Sequence, residues 1–107
     1  MVDGAGGGPI VLYGASGYTG ELIAAELCSR RADLTLAGRS RERLEAVAAA
    51  LPVRPPVHAV ALDDPRGLRS LLEPAATVIA CAGPFTLHGR PLIEAAAEVG
   101  TNYIDTT

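Results

Sequence analysis

Apolar residues in this chain fall into short continuous runs that alternate with longer segments of mixed polarity. The short runs are rich in Val, Ile, Leu and Ala, and each is bounded by Gly, Pro or charged residues. Continuous aliphatic runs of this length are typical of strands that are buried on both faces of a parallel sheet. The pattern therefore predicts strands at residues 10–13, 34–37, 57–62 and 77–81, with a fifth strand beginning at residues 103–105.

The segments between these runs carry apolar residues at helical spacing. Gly20, Ile23, Ala24 and Leu27 follow i, i+3, i+4, i+7 within a first helix predicted over residues 18–31. The same spacing recurs at residues 44, 47, 48 and 51, in a second helix that Pro52 ends. A third helix is predicted through residue 72 and a fourth over residues 91–99.

Turn and capping residues punctuate the helical segments. Ser40 and Asp64 stand where N-caps are expected, and Pro65 after Asp64 suits the first helical position. Gly100 is a C-terminal stop for the last helix.

A strict alternation of strand and helix with short connections predicts an α/β fold. Right-handed crossovers give a Rossmann-type doubly wound parallel sheet of about five strands, in the order 3-2-1-4-5. Residues 1–8 contain too little apolar surface to pack, and we interpret them as a flexible leader. Residues 9–107 then form one domain.

Composition narrows the function classes. The chain is 49% hydrophobic and 20% charged with a net charge of −3, which provides no basic surface for nucleic acid or an anionic membrane. No apolar run is long enough to span a bilayer, and no secretory signal is visible, so a cytoplasmic location is expected. Cys28, Cys81 and the two histidines form no metal-binding or nucleophilic constellation, and both cysteines suit simple packing.

The candidate chemistry begins directly after the first strand, in a glycine-rich turn that leads into the first helix. Its residues are Gly14, Ala15, Ser16, Gly17, Tyr18, Thr19 and Gly20. Glycines in such a turn permit the bend, let backbone approach a phosphate and let the helix pack on the strand. The free N–H groups of the helix then face the anion, and the hydroxyls at positions 16 and 19 add donors. The turn predicts a dinucleotide diphosphate site; the alternative is a turn kept only for close packing.

The end of the second strand distinguishes between the two nicotinamide dinucleotides. An NAD site usually has an acidic residue there for the ribose 2′-hydroxyl, whereas this chain has Arg39, Ser40 and Arg41. A guanidinium matches a phosphate, and Ser40 with the following helix would add donors. NADP is therefore favoured over NAD. The alternative is that Arg39 and Arg41 are ordinary solvated charges.

The ends of the third and fourth strands complete the predicted site. Asp63 could accept a hydrogen bond from the adenine amino group, although a structural role is an equal alternative. Residues from the fourth strand's end would line the crevice where strand order reverses, namely Cys81, Ala82, Gly83, Pro84 and Phe85. We interpret His88 as a loop histidine rather than a general acid or base, because no partner for it is visible.

Taken together, four ordered motifs resemble the NADP-binding domain of saccharopine dehydrogenase-like oxidoreductases. They are the turn at residues 14–20, Ala-Gly-Arg-Ser at 37–40, Ala-Gly-Pro-Phe at 82–85 with Gly89, and Gly-Thr-Asn-Tyr-Ile-Asp at 100–105. Within that family the sequence is most similar to the branch of trans-acting enoyl reductases. The resemblance implies phosphate contacts from the turn, 2′-phosphate binding at Arg39 and a cofactor wall at 81–85. Family members often have Tyr where Phe85 stands.

The resemblance also implies nicotinamide-dependent hydride transfer by a longer protein with a substrate-binding, dimerising second domain. The catalytic residues are then expected outside this chain. Two alternatives stay open from the sequence. One is the cofactor domain of an N-acetyl-glutamyl-phosphate reductase or related semialdehyde dehydrogenase, which shares the glycine turn; the other is a non-enzymatic NADP sensor.

Overall fold

A computed structural model of the chain describes residues 8–15, 17–81 and 90–105. Strands and helices alternate throughout these ranges. The strands are β1 (Ile10–Tyr13), β2 (Leu34–Gly38), β3 (Val57–Ala59), β4 (Thr77–Ala80) and β5 (Asn102–Asp105). The helices are α1 (Tyr18–Ser29), α2 (Arg41–Ala49), α3 (Pro65–Leu72) and α4 (Arg90–Val99).

The five strands form one parallel sheet in the order β3-β2-β1-β4-β5, which confirms the predicted topology. Ile10 of β1 pairs with Leu34 on one side and with Thr77 on the other. The chain therefore reverses its direction across the sheet at the β1–β4 boundary. In open α/β sheets, ligands bind at the carboxyl ends of the strands beside such a boundary.

Two apolar clusters cover the two faces of the sheet, because successive side chains of a strand point to opposite faces. Tyr13 and Val11 of β1 lie in the cluster that α3 and α4 complete through Leu68, Leu72 and Leu92. The intervening Leu12 lies in the other cluster, which α1 and α2 complete through Ala24, Leu44 and Ala48. The core is aliphatic, and Tyr13 is the largest fully buried side chain.

Capping was predicted correctly at both expected positions. The Ser40 hydroxyl accepts a hydrogen bond from the Arg43 N–H at 3.3 Å, and the Asp64 carboxylate accepts one from the Gly67 N–H at 3.0 Å. Gly100 has a φ of +80°, as a glycine after a helix end should. The helix starts that flank the sheet are therefore encoded locally.

Several boundaries differ from the prediction, by one to three residues. Helix α1 ends at Ser29 rather than at residue 31, since Arg31 turns into the left-handed region with a φ of +60° and the Ala32 N–H donates back to the Leu27 carbonyl. Strand β3 ends at Ala59, because a turn closes where the Asp64 N–H donates to the Ala61 carbonyl at 3.1 Å.

Helix α2 ends at Ala49, before the predicted Leu51, because the N–H groups of Ala50 and Leu51 donate three residues back rather than four. Strand β4 ends at Ala80 rather than at residue 81, while β2 extends to Gly38, β5 begins at Asn102 and α4 begins at Arg90. None of the helices in the described ranges is both long and apolar enough to cross a membrane.

Candidate cofactor site

The glycine-rich turn extends β1 and is tied to the end of β2. Gly14 has a φ of +87°, a conformation that favours glycine, and its N–H donates to the Ala37 carbonyl at 2.8 Å. The Ala15 N–H donates to the same carbonyl at 3.4 Å, and the Gly17 N–H donates to the Gly14 carbonyl at 3.2 Å. Ala15 itself is fully buried. The turn is thus fixed against the neighbouring strand by the protein's own backbone hydrogen bonds.

Gly20 lets α1 approach this turn. A Cβ atom placed on Gly20 would lie 2.5 Å from the Gly14 carbonyl oxygen and 2.7 Å from the Ala15 Cα. Both contacts are with backbone, which cannot rotate away. The third glycine of the motif therefore has the packing role that was predicted for it.

Gly17, at the N-cap of α1, lies in a different environment. In the part of the chain that the structure describes, no side chain caps this helix end, whereas Ser40 caps α2 and Asp64 caps α3. The first intrahelical bond runs from the Glu21 N–H to the Gly17 carbonyl. The N–H groups of residues 18–20 therefore have no acceptor within the helix.

Space is open beside this uncapped end. A Cβ atom on Gly17 would meet only the Gly14 carbonyl oxygen, at 3.7 Å. The side chains of Tyr18 and Thr19 are exposed. An accessible helix end with its dipole and free N–H groups fits a diphosphate. Ser16, also predicted for this site, lies outside the described residues.

A methyl group at Gly17 tests whether this space holds the diphosphate. Gly17→Ala should leave the melting temperature near that of the wild type, since 3.7 Å is an ordinary contact and the φ of −82° is allowed. It should weaken NADP and NAD equally, by roughly tenfold, because both share the diphosphate that the methyl would displace from charge-assisted hydrogen bonds. Titration calorimetry with both dinucleotides measures this effect. Unchanged affinity for both would place the diphosphate elsewhere.

Arg39 follows β2 directly, at the same edge of the sheet as the glycine turn. Its side chain is exposed, and within the part of the chain that the structure describes it forms no ion pair. Arg41 differs, since its guanidinium lies 3.5 Å from the Glu45 carboxylate, which also pairs with Arg54. Of these two arginines, Arg39 thus has no ion-pair partner among the described residues, while Arg41 shares its charge with Glu45.

Ser40 can serve the same anion without giving up its cap. The hydroxyl oxygen accepts from the Arg43 N–H, which leaves its O–H free to donate outward. Hydrogen-bond donors thus lie together at this edge of the sheet, on Arg39, on Ser40 and on the first turn of α2. This arrangement fits a 2′-phosphate.

The carboxyl end of β3 brings Asp63 to this edge, with its side chain exposed. Asp63 and Arg39 both act electrostatically on the phenol of Tyr13. Burial is the main reason why the pKa of Tyr13 lies above its ordinary value of 10.0; the charge of Arg39 lowers that pKa and the charge of Asp63 raises it. The sequence pattern predicts Tyr13 only as a strand residue. Its one signal was a phenol at the last position of β1.

At the β4 end, Cys81 is half-buried and packs against the α1–α2 side of the sheet. Its N–H donates to the Tyr13 carbonyl at 2.8 Å, which continues the pairing of β1 with β4 to the edge of the crevice. The remaining predicted wall residues, Ala82, Gly83, Pro84 and Phe85, lie outside the described residues, as does His88. In the ranges that are described, no three His, Cys, Asp or Glu side chains cluster so as to hold a metal ion.

A family comparison decides what kind of domain this is. Residues 10–107 match the sequence profile of the family described as the saccharopine dehydrogenase NADP-binding domain. The chain belongs to this family. NADP is accordingly the cofactor of the domain, as Arg39 had predicted.

Curated relatives extend the match. The NADP-binding domain is 40% identical over 103 residues to the trans-acting enoyl reductases of Mycobacterium leprae and Mycobacterium tuberculosis. Each alignment covers 92% of this chain and 25% of the relative, so the chain spans about a quarter of the length of these relatives.

Solved structures confirm the fold of the NADP-binding domain. Apo saccharopine dehydrogenase from Saccharomyces cerevisiae superposes with a TM-score of 0.81 at 22% identity, covering 94% of this chain and 22% of that one. A short-chain dehydrogenase/reductase from Veillonella parvula, in complex with NADP, gives a TM-score of 0.76 at 20% identity, covering 92% and 46%.

Proposed function

We propose that this chain is the cofactor-binding domain of a larger NADP-dependent oxidoreductase. In this proposal the first turn of α1 binds the diphosphate and Arg39 binds the 2′-phosphate. One observation carries the assignment of these two roles. Among the described residues, α1 lacks the side-chain cap that α2 and α3 have, and it begins at the sheet edge where Arg39 extends with no ion pair.

The residues of this chain bind and orient in this proposal. Gly14 shapes the turn, Gly20 brings α1 against it, and Gly17 leaves room for the diphosphate. Arg39 and Ser40 fix the adenosine end, which sets the direction in which the rest of the dinucleotide extends. Bound NADPH supplies a hydride at its nicotinamide ring. The β1–β4 crevice, with Cys81 and the predicted wall at 82–85, would then hold the nicotinamide half.

We further propose that the hydride goes to an enoyl group. The support is the 40% identity to relatives named trans-acting enoyl reductases. Those relatives are about four times as long as this chain, which favours a substrate-binding partner domain that supplies the catalytic residues. Consumption of NADPH by the longer protein in the presence of an enoyl thioester tests this assignment. Turnover with an acyl phosphate in its place would favour the semialdehyde dehydrogenase alternative.

The binding proposal predicts a preference between the two dinucleotides. The chain should bind NADP more tightly than NAD, since only NADP carries the phosphate that fits Arg39 and Ser40. Calorimetric titration of the chain with each dinucleotide gives the ratio of the two dissociation constants. This ratio is a safer observable than either constant, because any missing contact to the nicotinamide half weakens both. Equal affinities would contradict the role of Arg39.

A cytoplasmic location and a homodimeric longer protein are also part of the proposal. The first is in keeping with the composition, 49% hydrophobic and 20% charged, and the second is supported by the family resemblance. Neither nucleic acid nor a membrane surface is proposed as a partner, given the net charge of −3.

A further inference from the structure

The phenol of Tyr13 links the first and third strands at the edge of the sheet where the cofactor site is proposed. Its ring is 1% exposed and belongs to the cluster that α3 and α4 cover. Its hydroxyl donates to the Val60 carbonyl at 2.5 Å, across 47 positions of sequence. Strand β2 lies between β1 and β3. The Tyr13 side chain therefore crosses β2 and binds the chain segment that follows β3.

Val60 is held from two directions. Its N–H donates to the Gly38 carbonyl at 2.9 Å, and its carbonyl accepts from Tyr13. Gly38 is the residue before Arg39, and Val60 stands three positions before Asp63. The Val60 N–H thus joins the segment that carries the proposed 2′-phosphate ligand to the segment that carries the proposed adenine ligand, and the Tyr13 hydroxyl anchors this junction to β1.

The Tyr13 hydroxyl provides one of the two long-range hydrogen bonds on Val60, the first residue after β3. Strand β3 has only three residues, and Ala61 starts a turn directly after Val60. Leu62 packs against the same cluster as the Tyr13 ring. A short edge strand followed by a turn has few ladder hydrogen bonds to fix its direction. The phenol adds one at the point where the chain turns toward the proposed site.

The phenol is within electrostatic reach of both residues proposed to bind the 2′-phosphoadenosine half. Arg39 and Asp63 are the residues whose charges act on it, with opposite effects on its pKa, and burial raises that pKa further. The hydroxyl therefore stays protonated at neutral pH and remains a donor. It has the chemistry of a permanent restraint and not of a group that titrates.

We propose that Tyr13 is a positioning residue for the 2′-phosphoadenosine half of NADP, acting through its hydrogen bond to the Val60 carbonyl. This inference rests on the proposed function, in which Arg39 binds the 2′-phosphate. Tyr13 does not touch the cofactor; it fixes the distance and direction between Arg39 and Asp63. Removing its hydroxyl loosens that geometry and leaves the diphosphate cradle intact.

Adenosine 2′,5′-bisphosphate is the probe for this half, because it carries the adenine and the 2′-phosphate but no nicotinamide. Tyr13→Phe should raise its dissociation constant by roughly 3- to 10-fold, the range expected for the loss of one hydrogen bond. The dissociation constant of NADP should rise by the same factor. A fold-change confined to NADP would place the effect in the other half of the cofactor and overturn the proposal.

Tyr103→Phe is the matched control. Tyr103 packs against the same apolar cluster, but it belongs to β5, at the other side of the sheet from β3. Removing the Tyr103 hydroxyl should leave the dissociation constants of adenosine 2′,5′-bisphosphate and of NADP unchanged. If Tyr13→Phe lowers the melting temperature and leaves the affinity for the bisphosphate at the wild-type value, Tyr13 is only a structural residue and the proposal fails.

A second measurement, on the chain that retains Tyr13, tests the proposal in the case in which Tyr13→Phe does not fold. The chain has three tyrosines, so incorporation of 3-fluorotyrosine gives three fluorine resonances. Tyr18→Phe and Tyr103→Phe assign them. Adding adenosine 2′,5′-bisphosphate should shift the Tyr13 resonance and leave that of Tyr103 in place. A Tyr13 resonance that does not respond overturns the proposal.

The proposal and the proposed function fail in different ways. If Arg39→Ala abolishes the preference for NADP while Tyr13→Phe changes no dissociation constant, the 2′-phosphate site stands and the role of Tyr13 falls. If neither variant changes the binding of NADP, the site itself lies elsewhere.

Discussion

Replacing Arg39 with alanine is expected to weaken NADP binding by about 1.5–3 kcal/mol, the scale of a charge-assisted hydrogen bond. NAD binding should change little, because NAD has no 2′-phosphate for the guanidinium to meet. The ratio of the two dissociation constants should therefore fall toward one. Titration calorimetry of the wild type and of Arg39→Ala with both dinucleotides gives this ratio.

Arg30→Ala is the matched control for charge. Arg30 lies at the C-terminal end of α1, and its ion pair with Glu26 is solvent-exposed at both ends. Such pairs contribute little to stability. The control removes the same positive charge from the opposite edge of the sheet and should leave both affinities unchanged. An NADP affinity that falls equally in both variants would point to net charge rather than to a specific contact.

Gly20→Ala is expected to destabilise the domain by about 1–3 kcal/mol, the usual effect of an overpacked core. Alanine is the better helix former by roughly 1 kcal/mol, and that gain works in the other direction. Steric overlap should dominate, since the new methyl would lie 2.5 Å from the Gly14 carbonyl oxygen and 2.7 Å from the Ala15 Cα. Either α1 or the turn must move. Urea denaturation measures the change in the free energy of unfolding.

Gly38→Ala provides the comparison for this variant. A Cβ atom there would meet the Leu44 methyl groups at 3.5 and 3.7 Å, which are ordinary contacts, and Gly38 is not among the glycines with positive φ. Its free energy of unfolding should be unchanged or raised by up to about 1 kcal/mol. A Gly20→Ala variant as stable as Gly38→Ala would show that the contact between α1 and the turn is not tight.

Sequence was sufficient for the features that depend on local chemistry. The aliphatic runs located each strand, and Ser40 and Asp64 located two helix starts to the residue, because a cap is a contact between neighbours in sequence. The end of β3 could not be found in this way. All of residues 57–62 except His58 are apolar, which suits a longer strand, and only the tertiary path of β2 and the turn at Ala61 decide where pairing stops.

The features of the candidate site also divide into those that local sequence patterns reveal and those that depend on tertiary contacts. The glycine motif and Arg39 are visible as residue types at a known spacing, so they could be predicted. The ion pair that distinguishes Arg41 from Arg39 is also local, because Glu45 lies four residues along α2. The position of Tyr13, by contrast, depends on a hydrogen bond across a strand, which no local pattern encodes. Contacts between distant segments are the part that sequence patterns leave undetermined.

The strand order also has a consequence for how the domain folds. Strand β1 pairs with β2 across one short helical connection, but it pairs with β4 only after three helices have been made. Bringing Ile10 beside Thr77 closes a much longer loop than bringing it beside Leu34, and such non-local steps are slow. The crevice proposed for the nicotinamide lies between β1 and β4. The two ends of the cofactor would therefore contact surfaces that form at different stages of folding. The adenosine side is built from strands that are close in sequence, whereas the nicotinamide side forms only after β1 has paired with the distant β4.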